Sequence, residues 1–233
     1  MYERIDEARK FAEEADVLWK QIGLNPNATS LVFALIAWSN GEYERAKAYY
    51  CEMRDRYGIV GQKSQRASAI SALGLLEMEE GHLSKAQTYL EEALATACEL
   101  GDKPKITFRL IELGNLFYLL GKTVKFKQNL REAILLASNI SLDNKSITLA
   151  ALLDSAAIQK NVSFMNLLGA IYSFEKEHER QIRGHHKRFS YKQFEAYARE
   201  LFGDAAFESA FAEGQKMTLD EALDLVLKTV EEM

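Results

Sequence analysis

The stretch GEYERAKAYY, residues 41–50, recurs in altered form at a fixed spacing along the chain. GHLSKAQTYL begins at Gly81 and GKTVKFKQNL begins at Gly121, so successive copies start 40 residues apart. Each copy opens on glycine, which can end one helix and let the chain reverse into the next. A unit repeated at a fixed period is the sequence signature of stacked supersecondary elements. These three copies therefore decide the fold class.

Apolar and small residues surround each glycine at spacings of three, four and seven, which mark one face of an α-helix. Only two prolines, Pro26 and Pro104, occur in 233 residues, so long helices are permitted almost everywhere. The pattern predicts an all-α chain of paired helices. Small residues stand where the two helices of a pair must approach closely: Ala46, Gly74, Ala86, Ala93, Gly114 and Ala133.

The small residue, the turn glycine and the two alanines in register resemble the tetratricopeptide repeat. That resemblance implies a right-handed superhelical solenoid. The chain departs from the usual pattern in lacking its tryptophan, in having Phe126 and Met53 at alanine positions, and in a period of 40 rather than about 34 residues. The extra residues follow the second helix of each pair and predict longer helices. HEAT-like repeats share the length but not this glycine and alanine register.

The start of the chain predicts one apolar-striped helix over residues 3–22. It resembles the second helix of a pair whose first helix is missing, so we expect the chain to be a piece of a longer protein. An exposed apolar stripe usually marks a surface that contacts another protein. We therefore expect homo-oligomers to form through this helix. The stripe consists of Ile5, Ala8, Ala12, Ala15, Trp19 and Ile22.

The second half predicts a fourth, degenerate helix pair followed by shorter helices. SITLAALLDSAAIQK, residues 146–160, and SFMNLLGAIYSFEKEHE, residues 163–179, form that pair, with a turn near Lys160. We assign residues 1–180 to the repeats and residues 181–233 to helices that cap them. The capping helices are predicted to begin near Tyr191, Asp204 and Thr218, the last with Glu221 in a capping box.

A second resemblance is carried by LLGA at 167–170 and by FEAYARELFGDAAFESAFAEGQKMTLDEALDLVL at 194–227. These stretches, with ELGDKPKI at 99–106, are similar to the C-terminal region of multidomain bacterial signalling ATPases. In that family a tetratricopeptide region follows an NB-ARC or AAA-type nucleotide switch. Members include LuxR-type transcriptional regulators and cyclase-fused proteins. The resemblance implies a sensor or regulatory arm in bacterial signal transduction and transcription regulation.

Charge and composition exclude several functional classes. The net charge of −5 argues against a nucleic-acid partner, whose phosphates need neutralising. No apolar run approaches the roughly 20 residues that cross a bilayer, so we predict no membrane partner. The N-terminus lacks the apolar core of a signal peptide. Cys51 and Cys98 have no metal-binding spacing and are predicted to be reduced thiols in a cytoplasmic protein.

Two stretches imitate chemical motifs without satisfying them. Gly121-Lys122-Thr123 resembles the end of a phosphate loop, but Leu116 stands where that loop needs glycine. His178, His185 and His186 are not spaced for one helical face or a metal site. No serine, cysteine or histidine stands in a nucleophile motif. We predict a non-catalytic protein with no metal and no cofactor.

Two functions remain open. The first is a binding module that recognises a protein, a peptide or a small effector on the concave face lined by the first helix of each pair. The second is a structural or self-association scaffold with no diffusible ligand, in which the C-terminal helices fill the groove. In the repeat register the concave face comprises Leu31, Leu35, Trp38, Ser71, Leu75, Met78, Phe108, Ile111, Asn115 and Tyr118.

Overall fold

The computed structural model of the chain describes every residue except 1, 22–26, 140, 142–143, 146–147, 150, 154, 156–160, 162, 178–190 and 233. Within the described residues all regular elements are α-helices and no strand occurs, which confirms the all-α helical-repeat fold. The helices are α1 (Tyr2–Gln21), α2 (Asn27–Ser39), α3 (Tyr43–Ile59), α4 (Lys63–Glu79), α5 (Leu83–Glu99), α6 (Lys103–Leu119), α7 (Thr123–Ala137), α8 (Ser163–Glu177), α9 (Tyr191–Phe202), α10 (Asp204–Gly214) and α11 (Leu219–Glu232).

The turns between consecutive helices share one conformation. Glycine with φ between +64° and +80° stands at every twentieth position, and only glycine adopts such a backbone without strain. After Gly41 the next amide, that of Glu42, donates to the Ala37 carbonyl at 2.8 Å, the hydrogen bond of a Schellman helix end. The same bond follows Gly61, Gly81 and Gly121. The turn glycines are Gly41, Gly61, Gly81, Gly101 and Gly121.

This regularity explains the 40-residue period. The helices α3, α4, α5 and α6 are each 17 residues long and are separated by three-residue turns. The prediction that the extra residues lengthen the helices is confirmed. The stretches that follow the second helix of each pair, around Gly61 and Gly101, are turns of the same kind as those within a pair. Pro104 lies in the first turn of α6, beside the capping side chain of Asp102.

The chain divides into two compact units, and the first is Met1–Leu100. In it α2 packs against α3, α3 against α4, and α4 against α5, while α1 packs against α2. Met53 is buried at its alanine position, with Ala46 and Tyr50 on the same face of α3. These residues share a core with Ala34, Ala37, Ala69, Ala72, Leu73 and Leu76.

The predicted close helix approaches are confirmed in both units. Gly74 of α4 has no room for a methyl group, because an added Cβ would lie 2.9 Å from Cγ of Leu90. Gly114 of α6 faces the side chain of Leu130 in the same way. The small residues on the second helices are completely buried, namely Ala46, Ala86, Ala93 and Ala133.

The second unit is Gly101–Met233. Here α6 packs against α7, and α11 packs against both α7 and α8. The described residues between 144 and 155 are helical and belong to the predicted fourth pair, whose turn near Lys160 lies outside the described residues. Predicted helix starts at Tyr191 and Asp204 are confirmed. So is the capping box, in which the Glu221 amide donates to Thr218 Oγ1 at 3.2 Å.

The helices α8 and α10 cross each other closely, and each helix has a glycine at the crossing. A Cβ on Gly169 would overlap the backbone oxygen of Phe211, and one on Gly214 would overlap the backbone oxygen of Asn166. Asn166 Nδ2 also donates to the Ala210 carbonyl at 3.1 Å. The C-terminal helices therefore pack within the second unit. The proposed boundary at residue 180 falls in the range 178–190, outside the described residues.

Candidate binding surface

The predicted binding face is most accessible on α2. Leu31 and Leu35 are each 41% exposed, one helical turn apart. Their accessibility follows from the way α2 is oriented, because Ala34 and Ala37 occupy the side that packs into the core of the first unit. Trp38, one turn further on, is half-buried and meets the Tyr50 ring edge-to-face with centroids 6.3 Å apart. Trp38 is therefore partly a packing residue.

The α4 part of the predicted face is not accessible. Ser71, Leu75 and Met78 are all buried, so they cannot contact a partner in this structure. The physical reason is that α4 is buried continuously over residues 69–78, on every side. The sequence carries a signal of this, because AISALGLLEM is apolar around the whole helix, which is typical of an enclosed helix rather than a surface one.

The α6 part of the predicted face is divided. Ile111 is buried and Phe108 is half-buried, whereas Tyr118 is 37% exposed and its ring tilts against Phe126 with centroids 5.5 Å apart. Asn115 is only 8% exposed, and its Oδ1 accepts no hydrogen bond from any residue that the structure describes. A buried carbonyl without a donor is costly. Asn115 thus lies in the interior, contrary to its expected place in an open groove.

The first helix shows a different exposed face from the predicted one. Ala12 is buried, and α1 packs against α2 on that side. The exposed apolar side chains are instead Phe11, Val17 and Leu18. The stripe residues Ile5, Ala8, Trp19 and Ile22 have side chains outside the described residues. The prediction that α1 leaves apolar surface uncovered therefore rests on different residues from those first named.

A charged cluster that sequence reasoning missed joins α3, α4 and α5. The buried carboxylate of Glu77 accepts hydrogen bonds from Lys85 Nζ at 2.6 Å and interacts with His82 Nδ1 at 2.9 Å. Lys47 Nζ lies 3.4 Å from Glu77 and also pairs with Glu80. His82, which opens the turn into α5, thus contacts a buried carboxylate. The sequence gives no signal of this, since Lys47 and Glu77 are 30 positions apart.

The cluster has ligand atoms that could bind a metal cation, but its carboxylates are already paired with lysines. One ligand atom from each of Glu77, Glu80 and His82 lies within 4.8 Å of the others. Two lysines, however, already supply positive charge to these carboxylates. Burial would raise the pKa of Glu77, but Lys85, His82 and Lys47 together lower it. Burial would likewise lower the pKa of Lys47, but its bonds to Glu80 and Glu44 raise it. The arrangement is that of an internal ion-pair network.

Replacing Glu77 with glutamine tests whether this network stabilises the first unit. We expect the Glu77→Gln variant to lose about 2–3 kcal/mol in the free energy of unfolding, because Lys47 keeps a partly buried charge with fewer partners. Since the pKa of Glu77 is lowered in the folded state, its contribution is present at neutral pH and is lost as the pH falls through the folded pKa. Urea unfolding at neutral and acidic pH measures both effects.

The exposed Glu91 on α5 provides the matched control, for which Glu91→Gln should change stability by no more than about 0.5 kcal/mol. Equal stability of the Glu77 and Glu91 variants would show that the network contributes nothing.

No described helix combines the length and the apolar character needed to cross a bilayer.

No family model and no curated protein matches the sequence. Among solved structures, the chain is similar to the crystal structure of BtubC (BKLC) from P. vanneervenii, with 18% sequence identity and a TM-score of 0.51. The likeness covers 99% of this chain and 91% of that one. At this level of identity it shows a shared fold: the chain has the same all-helical architecture.

Proposed function

We propose that this chain is a non-catalytic binding module that holds an apolar segment of a partner protein against α2. The observation that carries the proposal is the exposure of Leu31 and Leu35, each 41%, at adjacent turns of one helix. Residues four apart on a helix lie side by side. They therefore form one continuous apolar contact surface, beside the half-buried ring of Trp38.

The chemistry of α2 favours an apolar partner over a charged effector. None of its 13 residues, Asn27–Ser39, is charged. A phosphate or carboxylate ligand would find no cation on this helix to pair with it. An amphipathic helix or an extended segment with bulky apolar side chains would instead gain free energy by removing Leu31 and Leu35 from water. We therefore favour a protein or peptide partner over a small effector.

The wider setting is also a proposal. The resemblance of residues 194–227 to the C-terminal region of bacterial signalling ATPases supports a role as the sensor or regulatory arm of such a protein, in the cytoplasm. In that role, binding at α2 would report the presence of a protein partner to the nucleotide switch. The helical-repeat fold is consistent with this role, because each helix pair of such a fold can present its own contact surface.

A displayed random peptide library, selected on the intact chain, tests the binding site. We expect selected peptides rich in apolar residues to bind the parent, and the double variant Leu31→Glu, Leu35→Glu to bind them at least about tenfold more weakly. Ile59→Glu is the matched control, because Ile59 is an equally apolar residue, 87% exposed, at the far end of α3. Its affinity for the same peptides should equal that of the parent.

Peptides that bind the parent and the double variant equally would contradict a site on α2. Because both leucines are already partly in water, the variant should retain the melting temperature of the parent to within a few degrees. A folded variant that loses binding, beside a control that keeps it, supports the proposal.

Self-association is the second candidate function, and one specific observation favours it. Phe11 and Leu18 of α1 are 67% and 62% exposed, seven residues apart on one side of the helix. Large aromatic and aliphatic side chains in such positions usually mark a contact surface. A second copy of the chain is one partner that would cover them.

A further inference from the structure

Exposed apolar side chains lie along both of the first two helices. We call four of them the α1–α2 patch: Phe11 and Leu18 of α1, and Leu31 and Leu35 of α2. The two helices pack against each other and are joined by only five residues, 22–26, so they run antiparallel. Hydrogen bonds with Asn40 and Arg45 lower the pKa of Glu42, just beyond α2, and the positive charge of Arg9 on α1 lowers it further. The beginning of α1 therefore lies near the end of α2.

The members of the patch stand at matching heights along the two helices. Leu18 is three residues from the end of α1, and Leu31 is four residues from the start of α2. Phe11 and Leu35 are ten and eight residues from the same two ends. At about 1.5 Å per residue, each α1 member lies within about 3 Å of one α2 member along the helix axis.

On α1 the patch lies to one side of the contact with α2. Ala12 is buried where α1 packs against α2. At about 100° per residue, Phe11 and Leu18 are turned from Ala12 by about 100° and 120° in the same direction. Both side chains therefore flank the seam between the two helices instead of pointing directly away from it.

On α2 the patch lies on the same side of the helix pair. Ala34 and Ala37 belong to the core shared with α3, whereas Leu31 and Leu35 are exposed. Ile36 is buried about 120° from both sets, on the side that is left for α1. In two right-handed helices that run antiparallel, this order puts the α2 members beside the α1 members. With helix axes about 8–10 Å apart, the patch is one continuous apolar surface across the seam.

Glutamates border the patch on α1. Glu7 and Glu14 are exposed and lie about 30–50° around the helix from the α1 members of the patch. In the part of the chain that the structure describes, neither carboxylate has an ion-pair partner. Lys10 is exposed as well, but it lies about 90° from the patch, beyond the two glutamates. Since α2 carries no charge, the charge nearest to the patch is negative.

We propose that the α1–α2 patch binds an amphipathic helix of a partner protein, with lysines or arginines placed beside Glu7 and Glu14. The seam between two packed helices is a groove that the apolar ridge of a third helix can fill. A helix satisfies its own backbone hydrogen bonds, whereas an extended segment would need a strand edge, and the described residues contain no strand. This inference rests on the proposed function, because it extends the α2 site to α1 and names the chemistry of the partner.

Three designed peptides test the inference on the intact chain by fluorescence anisotropy. The basic probe has about 18 residues, or five helical turns, and contains only lysine and leucine, with leucines at spacings of three and four. The acidic probe has glutamate in place of each lysine, and the broken probe is the basic probe with a central proline. We expect the basic probe to bind at least about tenfold more tightly than either of the others, because its charges match the border and its helix is intact.

Changes on α1 distinguish the patch from a site on α2 alone. Phe11→Gln, Leu18→Gln should weaken binding of the basic probe about tenfold or more, since two apolar contacts are lost. Glu7→Lys, Glu14→Lys should reverse the preference, so that the acidic probe binds more tightly than the basic one. All four side chains are exposed, so both variants should melt like the parent. If the double glutamine variant fails to fold, its single changes give the same decision.

The matched control is Glu91→Lys, Glu132→Lys. It changes the net charge by the same amount, at exposed positions on α5 and α7. Because these positions are remote in sequence from the patch, the control should still prefer the basic probe. A control that reverses its preference would show that net charge alone decides the binding, and would overturn the inference.

The remaining outcomes separate this inference from the α2 site. If Leu31→Gln, Leu35→Gln binds the basic probe like the parent, both proposals fail. If that variant loses binding while both α1 variants bind like the parent, the extension to α1 is overturned and the α2 site stands. A parent that binds the basic probe no more tightly than the acidic or the broken probe would overturn the inference. So would a parent dimer that Phe11→Gln, Leu18→Gln dissociates and the basic probe does not, because a second copy would then cover the patch.

Discussion

A Gly214→Ala variant is expected to lose about 3 kcal/mol or more in the free energy of unfolding. The added methyl group would overlap the backbone oxygen of Asn166, on the helix that crosses α10. A side chain can rotate away from such a contact, but a backbone oxygen moves only if the whole helix shifts. Separating α8 from α10 would also break the hydrogen bond from Asn166 to Ala210. Gly169→Ala, on the other side of the crossing, should have a similar effect.

Gly58→Ala is the control for these two variants. Gly58 lies in the last turn of α3, and an added Cβ would meet only Arg66 at an ordinary 3.6 Å. Alanine has the higher helix propensity, so this variant should be unchanged or stabilised by up to about 1 kcal/mol. Chemical unfolding followed by circular dichroism gives all three values. Gly214→Ala with the stability of Gly58→Ala would show that α8 and α10 do not approach as closely as described.

Gly114→Leu and Ala86→Leu are expected to lose about 1–3 kcal/mol or more, because both insert bulk where paired helices touch. Gly114 faces Leu130, which is itself buried in α7 and has little space to move. Ala86 is completely buried in α5. The loss should appear as a lower midpoint in urea unfolding.

The control for overpacking is Ala48→Leu. Ala48 is an exposed residue of α3, in the same kind of helix as Ala86 but on its outer side. Its substitution should change stability by no more than about 0.5 kcal/mol. If Ala86→Leu unfolded at the same urea concentration as Ala48→Leu, the helix register inferred from the repeat would be wrong.

The features that the sequence predicted correctly are local or periodic. Turn glycines, the small residues of the helix pairs and the Thr218 capping box each act within one helix or between neighbouring helices. Because the repeat of 40 residues occurs in three copies, the turn glycines and the small residues can each be recognised more than once in the sequence. Helix starts at Tyr191 and Asp204 follow from composition and apolar spacing alone.

The features that the sequence did not predict depend on contacts between distant positions. The tetratricopeptide register placed Leu75 on an open face, whereas Leu75 is buried, as the apolar character of α4 on all sides indicates. The meeting of Lys47 with Glu77 depends on how α3 and α4 pack. Gly169 and Gly214 are 45 residues apart, and neither stands in a repeat position that marks a crossing.

The solvent exposure of the side chains also changes which residues belong to the predicted binding face. The register predicted ten equivalent face residues, but exposure depends on what covers each helix, and α2 is the least covered of the three. Leu31 and Leu35 therefore remain as accessible contact residues, while Ser71 and Met78 do not.

Site-specific photocrosslinking tests the central claim most directly. A benzophenone amino acid placed at position 35, in place of the exposed Leu35, should crosslink a selected apolar peptide, and an excess of the unlabelled peptide should abolish the product. The same group at position 59, where Ile59 is more exposed still, should give no specific product. Crosslinking at 35 and not at 59 is the result that the binding module predicts. Equal crosslinking at both positions, or crosslinking at 59 alone, would contradict a binding site on α2.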